Sequence, residues 1–433
     1  MMIKRRTFDN KVKKTKKARD PFMTKQELYN ERKKRIQAAQ AITEYDRVPI
    51  APKIGFFYGT GYGIPTYATL TDLKNIIPGI RAYINEYQPD LAWAPAVYPA
   101  LAALALDSNF IKVPGARHNI GLNESYQILD GEYMTADEYD EFIFDPTHFI
   151  FTKWMPRRCN KLAGLAKLNF QNPIEFGFFS SLAPFVDPEV QDALDALKEA
   201  GKHSLDWLIA GGMAAAAIEE EGVVLGPHVG TTCPFDMLAD SFRGMINSVV
   251  DVVDKPDELL AAVNVMQRIM LQNALGAAIA LKREYFLIPL HMGVDEFMSP
   301  ANYAKFYWPG LKALMMACID NGITPYVFVE GNYNSRLEQM CDIPKGKVIY
   351  CFEKIDMKRA KETVGKVACI GGHVNTATLM FSTPEKVADE TKRLLDIYAP
   401  GGGFLMDVSI PLDKCPKENL HVMFDTTLKY GVY

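Results

Sequence analysis

The chain has 433 residues, 48% of them hydrophobic and 23% charged, the composition of an ordinary globular protein with enough apolar residues for a large core. Its net charge of −4 excludes a general nucleic-acid-binding body. The charge is uneven, because residues 1–36 hold 14 Lys and Arg against 4 Asp and Glu. That head contains acids and lacks an apolar run, so a secretory signal is not expected, and residues 1–24 read as a basic N-terminal extension. The seven cysteines show no CxxC or framework spacing, which points to a reducing, cytoplasmic setting. The nearest approach to a membrane span is LDWLIAGGMAAAAI (205–218). Asp206, the Gly211–Gly212 pair and the acids after Ile218 make it read as a buried helix instead.

In chain order, TKQELYNERKKRIQAAQAI (24–42) carries a Thr-x-x-Glu capping box and helical spacing. VPIAPKIGFF (48–57) reads as a first strand, a helix over 71–86 follows, and DLAWAP (90–95) reads as a second. Residues 113–222 do not alternate cleanly and read as a helical insertion between strands two and three. GVVLGPHVG (222–230) resumes the pattern. A long helical region (236–282) with a DxxRG motif at Asp240, Arg243 and Gly244 leads to REYFLIPLHMG (283–293). Four apolar runs then follow, each stopping at a residue able to do chemistry: TPYVFVEG at Glu330, KVIYCFEK at Glu353, KVACIGGH at His373, and GFLMDVS at Asp407 and Ser409. Strands beginning near 48, 90, 223, 284, 324, 347, 367 and 403, with helical spacing between them, predict an α/β fold, a (β/α)₈ TIM barrel.

In such a barrel the strand ends open on one face, where the site is expected. Glu330, Glu353 and His373 on consecutive strands would repel unless a positive charge sits among them, and a divalent metal supplies one. Zinc accepts such ligands and, with a position open, acts as a Lewis acid or thiol activator. The open alternatives are a metal-free acid–base pair and structural ion pairing to Lys354 or Arg336. His291, followed by MGVDEFMSP, and Asp407 are candidate catalytic residues. His228 in GPHVGTTCPF, Asn375, Ser409 and the aromatic Tyr58 are candidate substrate or cofactor contacts. Neither GxGxxG after the first strand, nor a P-loop, nor GxSxG occurs, so nucleotide-phosphate and serine-hydrolase readings have no motif.

The pieces ERKKRIQAAQAITEYDRVPIAPKIG, PFDMLADSFRGMINSVVDVVDKPDEL, MSPANYAKFYWPGLKAL, FVEGNYNSRLEQM, CFEKIDMKRAKETVG and IGGHVNTATLMFSTPEKVADETKRLL resemble, in order and spacing over residues 25–433, the uroporphyrinogen decarboxylase superfamily. The resemblance implies a (β/α)₈ barrel and one of two activities, decarboxylation of porphyrinogens or methyl transfer to or from a corrinoid. Decarboxylases of that group carry an arginine-rich MRQAGR loop after strand one. Here the stretch reads KIGFFYGTGYGIPTYATL, without arginine, and a polycarboxylate substrate needs cationic partners. Thiol-activating methyltransferases of the group hold zinc through His-x-Cys at the end of strand five and a later Cys. Here Phe328 and Glu330 stand at the first pair and Ser409 near the last, so an oxygen-rich site of Glu330, Glu353 and His373 is expected in its place. A harder metal suits an ether or alcohol oxygen better than a thiolate.

The expected function is a corrinoid-dependent methyltransferase using zinc, with the corrinoid supplied by a partner corrinoid protein, since no DxHxxG pattern is present. A decarboxylase, with His373 or Asp407 as proton donor, is the alternative, and a non-catalytic tetrapyrrole-binding module a second. Neither nucleic acid nor a membrane is an expected partner, and a homodimer is left open.

Overall fold

The computed structural model describes residues 23–95, 97–171 and 175–433. Nearly all of the basic extension lies outside them. The first helix, α1 (Lys25–Gln40), begins at the expected capping box, with Thr24 accepting from the Glu27 amide and Glu27 reaching back to the Thr24 amide.

The centre is a six-stranded parallel sheet in the spatial order β10-β9-β8-β7-β6-β5. The chain lays down β1 (Leu91–Ala92), β2 (Ile111–Lys112), β3 (Gln127–Ile128), β4 (Val224–Leu225) and β5 (Val229–Gly230), then β6 (Tyr285–Leu290) and β7 (Thr324–Asn332). It continues with β8 (Ile349–Lys354), β9 (Cys369–Val374) and β10 (Phe404–Val408). β1 and β4 form a separate parallel pair, Leu91 opposite Val224. Single contacts join the two sheets into one circuit. Ile50 bridges Met406 in parallel, the Asp90 amide donates to the Ile50 carbonyl, and the β4 segment runs on into β5, which pairs with β6. The chain therefore follows the α/β barrel order, with regular ladders over only part of the ring.

The expected first strand at 48–57 is not a regular one. Pro49 and Pro52 lack the amide a ladder needs, so in place of a ladder this stave makes isolated bridges, Ile50 to Met406 of β10 and Ile54 to Leu412 beyond it. From Phe57 to Thr60 it is already helical. Gly226 and Pro227 divide the third predicted strand into β4 and β5 in the same way.

Side chains alternate along the strands. Tyr326, Phe328, Ile349, Cys351, Cys369 and Leu405 fill the barrel with Leu91, Trp93 and Val224, while Val327, Tyr350, Ile370 and Met406 pack outward in the larger core beneath the helices. The predicted insertion contributes β3, which pairs antiparallel with β2 just before it, and ends in α2 (Pro188–Glu220), a helix of 33 residues capped by Asp187. The expectation that 205–218 is a buried helix holds for one face alone. Ala210, Ala214, Ala215, Ala217 and Ile218 are buried, but Leu205, Leu208, Ile209 and Met213 are exposed. Among the described residues, no helix is long and apolar enough to cross a membrane.

Candidate active site at the strand ends

The parallel register sets Leu290 of β6 beside Val329 of β7, so the next residue of each strand, His291 and Glu330, meet at the C-terminal face. The His291 Nε2 lies 3.7 Å from Glu330 Oε1. Its Nδ1 lies 2.6 Å from Asp240 Oδ2. Asp240 sits on a π-helical turn, Ala239–Arg243, a geometry frequent at functional sites because the extra residue re-aims a side chain. Beneath it, the buried Asp236 carboxylate accepts from the backbone amides of His291 (3.0 Å) and Met292 (2.8 Å) and from the Tyr307 hydroxyl (2.6 Å). Asp236 thus fixes the backbone that carries His291, and Asp240 fixes the ring.

The electrostatics follow from this packing. Burial alone would lower the His291 pKa, but the hydrogen bond to Asp240, the Glu330 carboxylate 3.7 Å away and the charge of Asp236 outweigh burial and raise it to about 11. His291 is therefore an imidazolium at neutral pH, its two N–H groups facing Asp240 and Glu330. Asp236 moves the other way for a carboxylate: burial raises its pKa to about 6, opposed by the His291 charge.

The three residues expected to hold a metal are not brought together as a ligand set. Glu353 Oε2 accepts from the Gly331 amide at 2.7 Å, which keeps it next to Glu330. His373 is buried, and its Nε2 lies 3.5 Å from the hydroxyl of Tyr398, on the helix Pro384–Tyr398 outside β9. Gly372, just before it, has φ +138°. Burial and the charges of Lys53 and Arg393 lower the His373 pKa to about 4. Among the described residues no group of three or more His, Cys, Asp or Glu side chains is arranged to hold a metal ion. Zinc therefore does not fit Glu330, Glu353 and His373 as they stand.

Asp407, expected as a catalytic group, is enclosed. It accepts from the Lys53 ammonium (2.5 Å), the Lys53 amide (2.7 Å) and the Val408 amide (2.7 Å), and neither Asp407 nor Lys53 has exposed surface. The pair ties the proline-broken first stave to β10, with the ammonium 5.0 Å from the Phe328 ring centre. Tyr58 is likewise core, its hydroxyl donating to the Trp93 carbonyl at 3.1 Å. Ser409 is engaged with the Thr376 amide and hydroxyl. Asn375 caps the helix that begins at Thr376. His228 packs against α2, where a Cβ placed on Gly211 would stand 3.7 Å from its ring, and burial with the Arg283 charge lowers its pKa to about 4.

Sequence reasoning missed an aromatic cluster on the mouth side, to which the insertion contributes Tyr126. Tyr98 and Tyr126 meet edge to face at 5.1 Å, and Phe56 meets Tyr126 at 6.1 Å. Tyr98 lies within electrostatic reach of Asp240 and His291, and Tyr126 within that of Asp413 and Glu330. The rings therefore lie on the same side of the molecule as the His291–Glu330 pair. The one available signal was Asp240 in DxxRG. The arginine of that motif, Arg243, is structural, bonding Asp251 and the Met134 carbonyl.

Comparison with known proteins agrees with this architecture. Residues 188–430, more than half of the chain, match the model of the family described as Uroporphyrinogen decarboxylase (URO-D). The chain belongs to that family. A uroporphyrinogen decarboxylase of Azoarcus sp. (strain BH72) is 33% identical over 73 residues, an alignment covering 17% of this chain and 20% of that protein. A solved methyltransferase from Methanosarcina mazei superposes with a TM-score of 0.59 over 92% of this chain and 98% of its own, at 16% identity. That likeness establishes the shared fold.

Proposed function

We propose that the protein is a methyltransferase that moves a methyl group between a small-molecule donor or acceptor and the cobalt of a corrinoid on a partner protein. The observation that carries this reading is the charge of the mouth. Asp240 and Glu330 flank one imidazolium, His291, and Glu353 lies next to Glu330 on the Gly331 amide. The cation of the first stave, Lys53, is buried on Asp407 in the stretch where family decarboxylases place an arginine loop. A substrate with many carboxylates would meet repulsion here. The M. mazei methyltransferase shares the fold along nearly its whole length, which supports the same branch.

When a methyl group leaves an oxygen, that oxygen gains an electron pair and needs a proton. His291 Nε2–H, turned toward Glu330, is placed to donate it, and in the reverse direction the ring takes the proton from the incoming hydroxyl. Asp240, bonded to Nδ1, holds the ring in place in both directions. A corrinoid delivered by the partner would supply the centre that accepts or gives the methyl group. Tyr98, Phe297 and Ile410 are exposed on loops at the strand ends and offer an apolar rim for docking.

The test is methyl transfer between free cobalamin and a panel of O-methyl and thiol substrates, followed by the cobalamin absorption spectrum. His291→Asn is expected to lower kcat by about 10²–10⁴-fold, the usual contribution of a positioned acid–base group. Wild-type rates in that variant, or carbon dioxide release from a porphyrinogen in place of methyl transfer, would overturn the reading.

A further inference from the structure

Asp240 reaches His291 from a turn that ends in a chain reversal, and the insertion holds that turn from outside the barrel. Gly244, with φ +82°, closes the π-helical stretch Ala239–Arg243, and a helix end leaves its last carbonyls without amides ahead of them. The insertion receives them. The Ser241 carbonyl, one residue after Asp240, accepts from the Trp154 indole Nε1–H at 2.6 Å and from Arg158 Nη1 at 3.3 Å. The Phe242 carbonyl accepts from the Tyr133 and Met134 amides at 2.7 and 2.9 Å. Backbone of any sequence could serve Phe242, but the Ser241 contact needs particular side chains. Trp154 lies on a π-helical turn of its own, Ile150–Trp154, and its ring stacks on Phe242 at 5.3 Å and 25°. Arg158 is buried, and among the described residues its only hydrogen bond is the one to Ser241. A cation buried without a carboxylate is costly. The Arg158 guanidinium lies 3.8 Å from the Phe110 ring centre and 4.7 Å from that of Trp154, and cation–π attraction offsets part of that cost.

We infer that Trp154 and Arg158 are positioning residues that act on His291 through Asp240: their grip on the Ser241 carbonyl fixes the turn from which that carboxylate reaches the ring. Asp240 Oδ2 lies 2.6 Å from His291 Nδ1, and a hydrogen bond of that length is lost if the turn shifts by about an ångström. Three carboxylates face His291, each from a different place. Glu330 belongs to β7, and Asp236 is anchored separately by Tyr307 and by the amides of His291 and Met292. The Asp240 carboxylate bonds only His291 among the described residues, so its place depends on its turn. The effect on turnover rests on the proposed methyl transfer, whereas the effect on the His291 proton does not.

The experiment is a pH titration of the His291 Cε1–H resonance in the full chain, assigned with His291→Asn, with melting curves as folding controls. Trp154→Phe keeps an aromatic ring and removes the N–H. It should lower the His291 midpoint by roughly 0.5–1 pH unit, part of the roughly 1–3 that a neighbouring carboxylate supplies. Arg158→Met should lower it too. Loss of a nearby cation would by itself raise the midpoint, so the sign separates an effect on the turn from an effect of charge. With Asp240→Asn already present, neither substitution should move the midpoint further, as a double-mutant cycle requires of residues that act through Asp240. In the methyl-transfer assay Trp154→Phe should lower kcat and leave KM unchanged. An unmoved midpoint in folded Trp154→Phe, a raised one in Arg158→Met, or equal shifts with and without Asp240 overturns the inference. A lowered midpoint in a protein that transfers no methyl group upholds it and overturns the proposed function instead.

Discussion

Asp240→Asn tests the His291 group most directly. In the folded protein the His291 pKa is raised from 6.5 to about 11, which corresponds to roughly 6 kcal/mol in favour of the imidazolium at ~1.4 kcal/mol per pH unit. Asp240, at 2.6 Å, is the nearest of the three carboxylates responsible. A carboxylate at that distance contributes about 1–3 pH units, so the variant should bring the His291 midpoint down to roughly pH 8–10. The linkage has a definite sign. A raised histidine pKa stabilises the fold fully below about pH 6.5, and that contribution is lost as pH rises toward 11. In Asp240→Asn the same loss is complete at lower pH, so the stability gap between wild type and variant should hold steady up to the variant's midpoint and close from there toward about pH 11. The assay is a pH titration of the imidazole Cε1–H resonances, assigned with His291→Asn, alongside urea unfolding at several pH values. A wild-type midpoint near 6.5, or an unshifted midpoint in Asp240→Asn, would refute the reasoning.

Three further outcomes are expected. Lys53→Met leaves the Asp407 charge buried and unpaired, and should cost about 3–5 kcal/mol in urea unfolding, whereas Lys53→Met with Asp407→Leu should recover much of it. Burial alone would raise the pKa of the buried Asp90, but Arg47 and Arg35 hold it well below the usual carboxylate range. Its contribution is present above about pH 3.8 and lost as the pH falls through the depressed value, so Asp90→Asn should flatten the acid limb of the stability–pH profile. Tyr126→Ala, within electrostatic reach of Glu330, should raise KM more than it lowers kcat in the methyl-transfer assay, because the ring lies on the mouth side without holding a proton. An effect confined to kcat would contradict that role.

The sequence by itself determined the strand–helix alternation, the α/β class and the face on which chemistry collects. These follow from local patterning, because apolar runs of strand length recur at intervals that fit a helix and a return. It also placed His291, Glu330 and Glu353 at strand ends, since the β6–β7 ladder is regular up to Leu290 and Val329, the residues just before His291 and Glu330. Only tertiary structure decided which of these meet. His291 found Asp240 rather than the expected metal group because a π-helical turn 51 residues earlier in the chain aims that carboxylate at the β6 end. His373 left the group because its ring is buried against Tyr398, on the helix outside β9. Asp407 turned from catalyst to anchor because Lys53, on a stave two prolines keep out of the ladder, needed a buried counter-charge. The exposed stripe of α2 was invisible for the same reason: an apolar run shows that a helix wants cover, but its neighbours in space determine which face receives it.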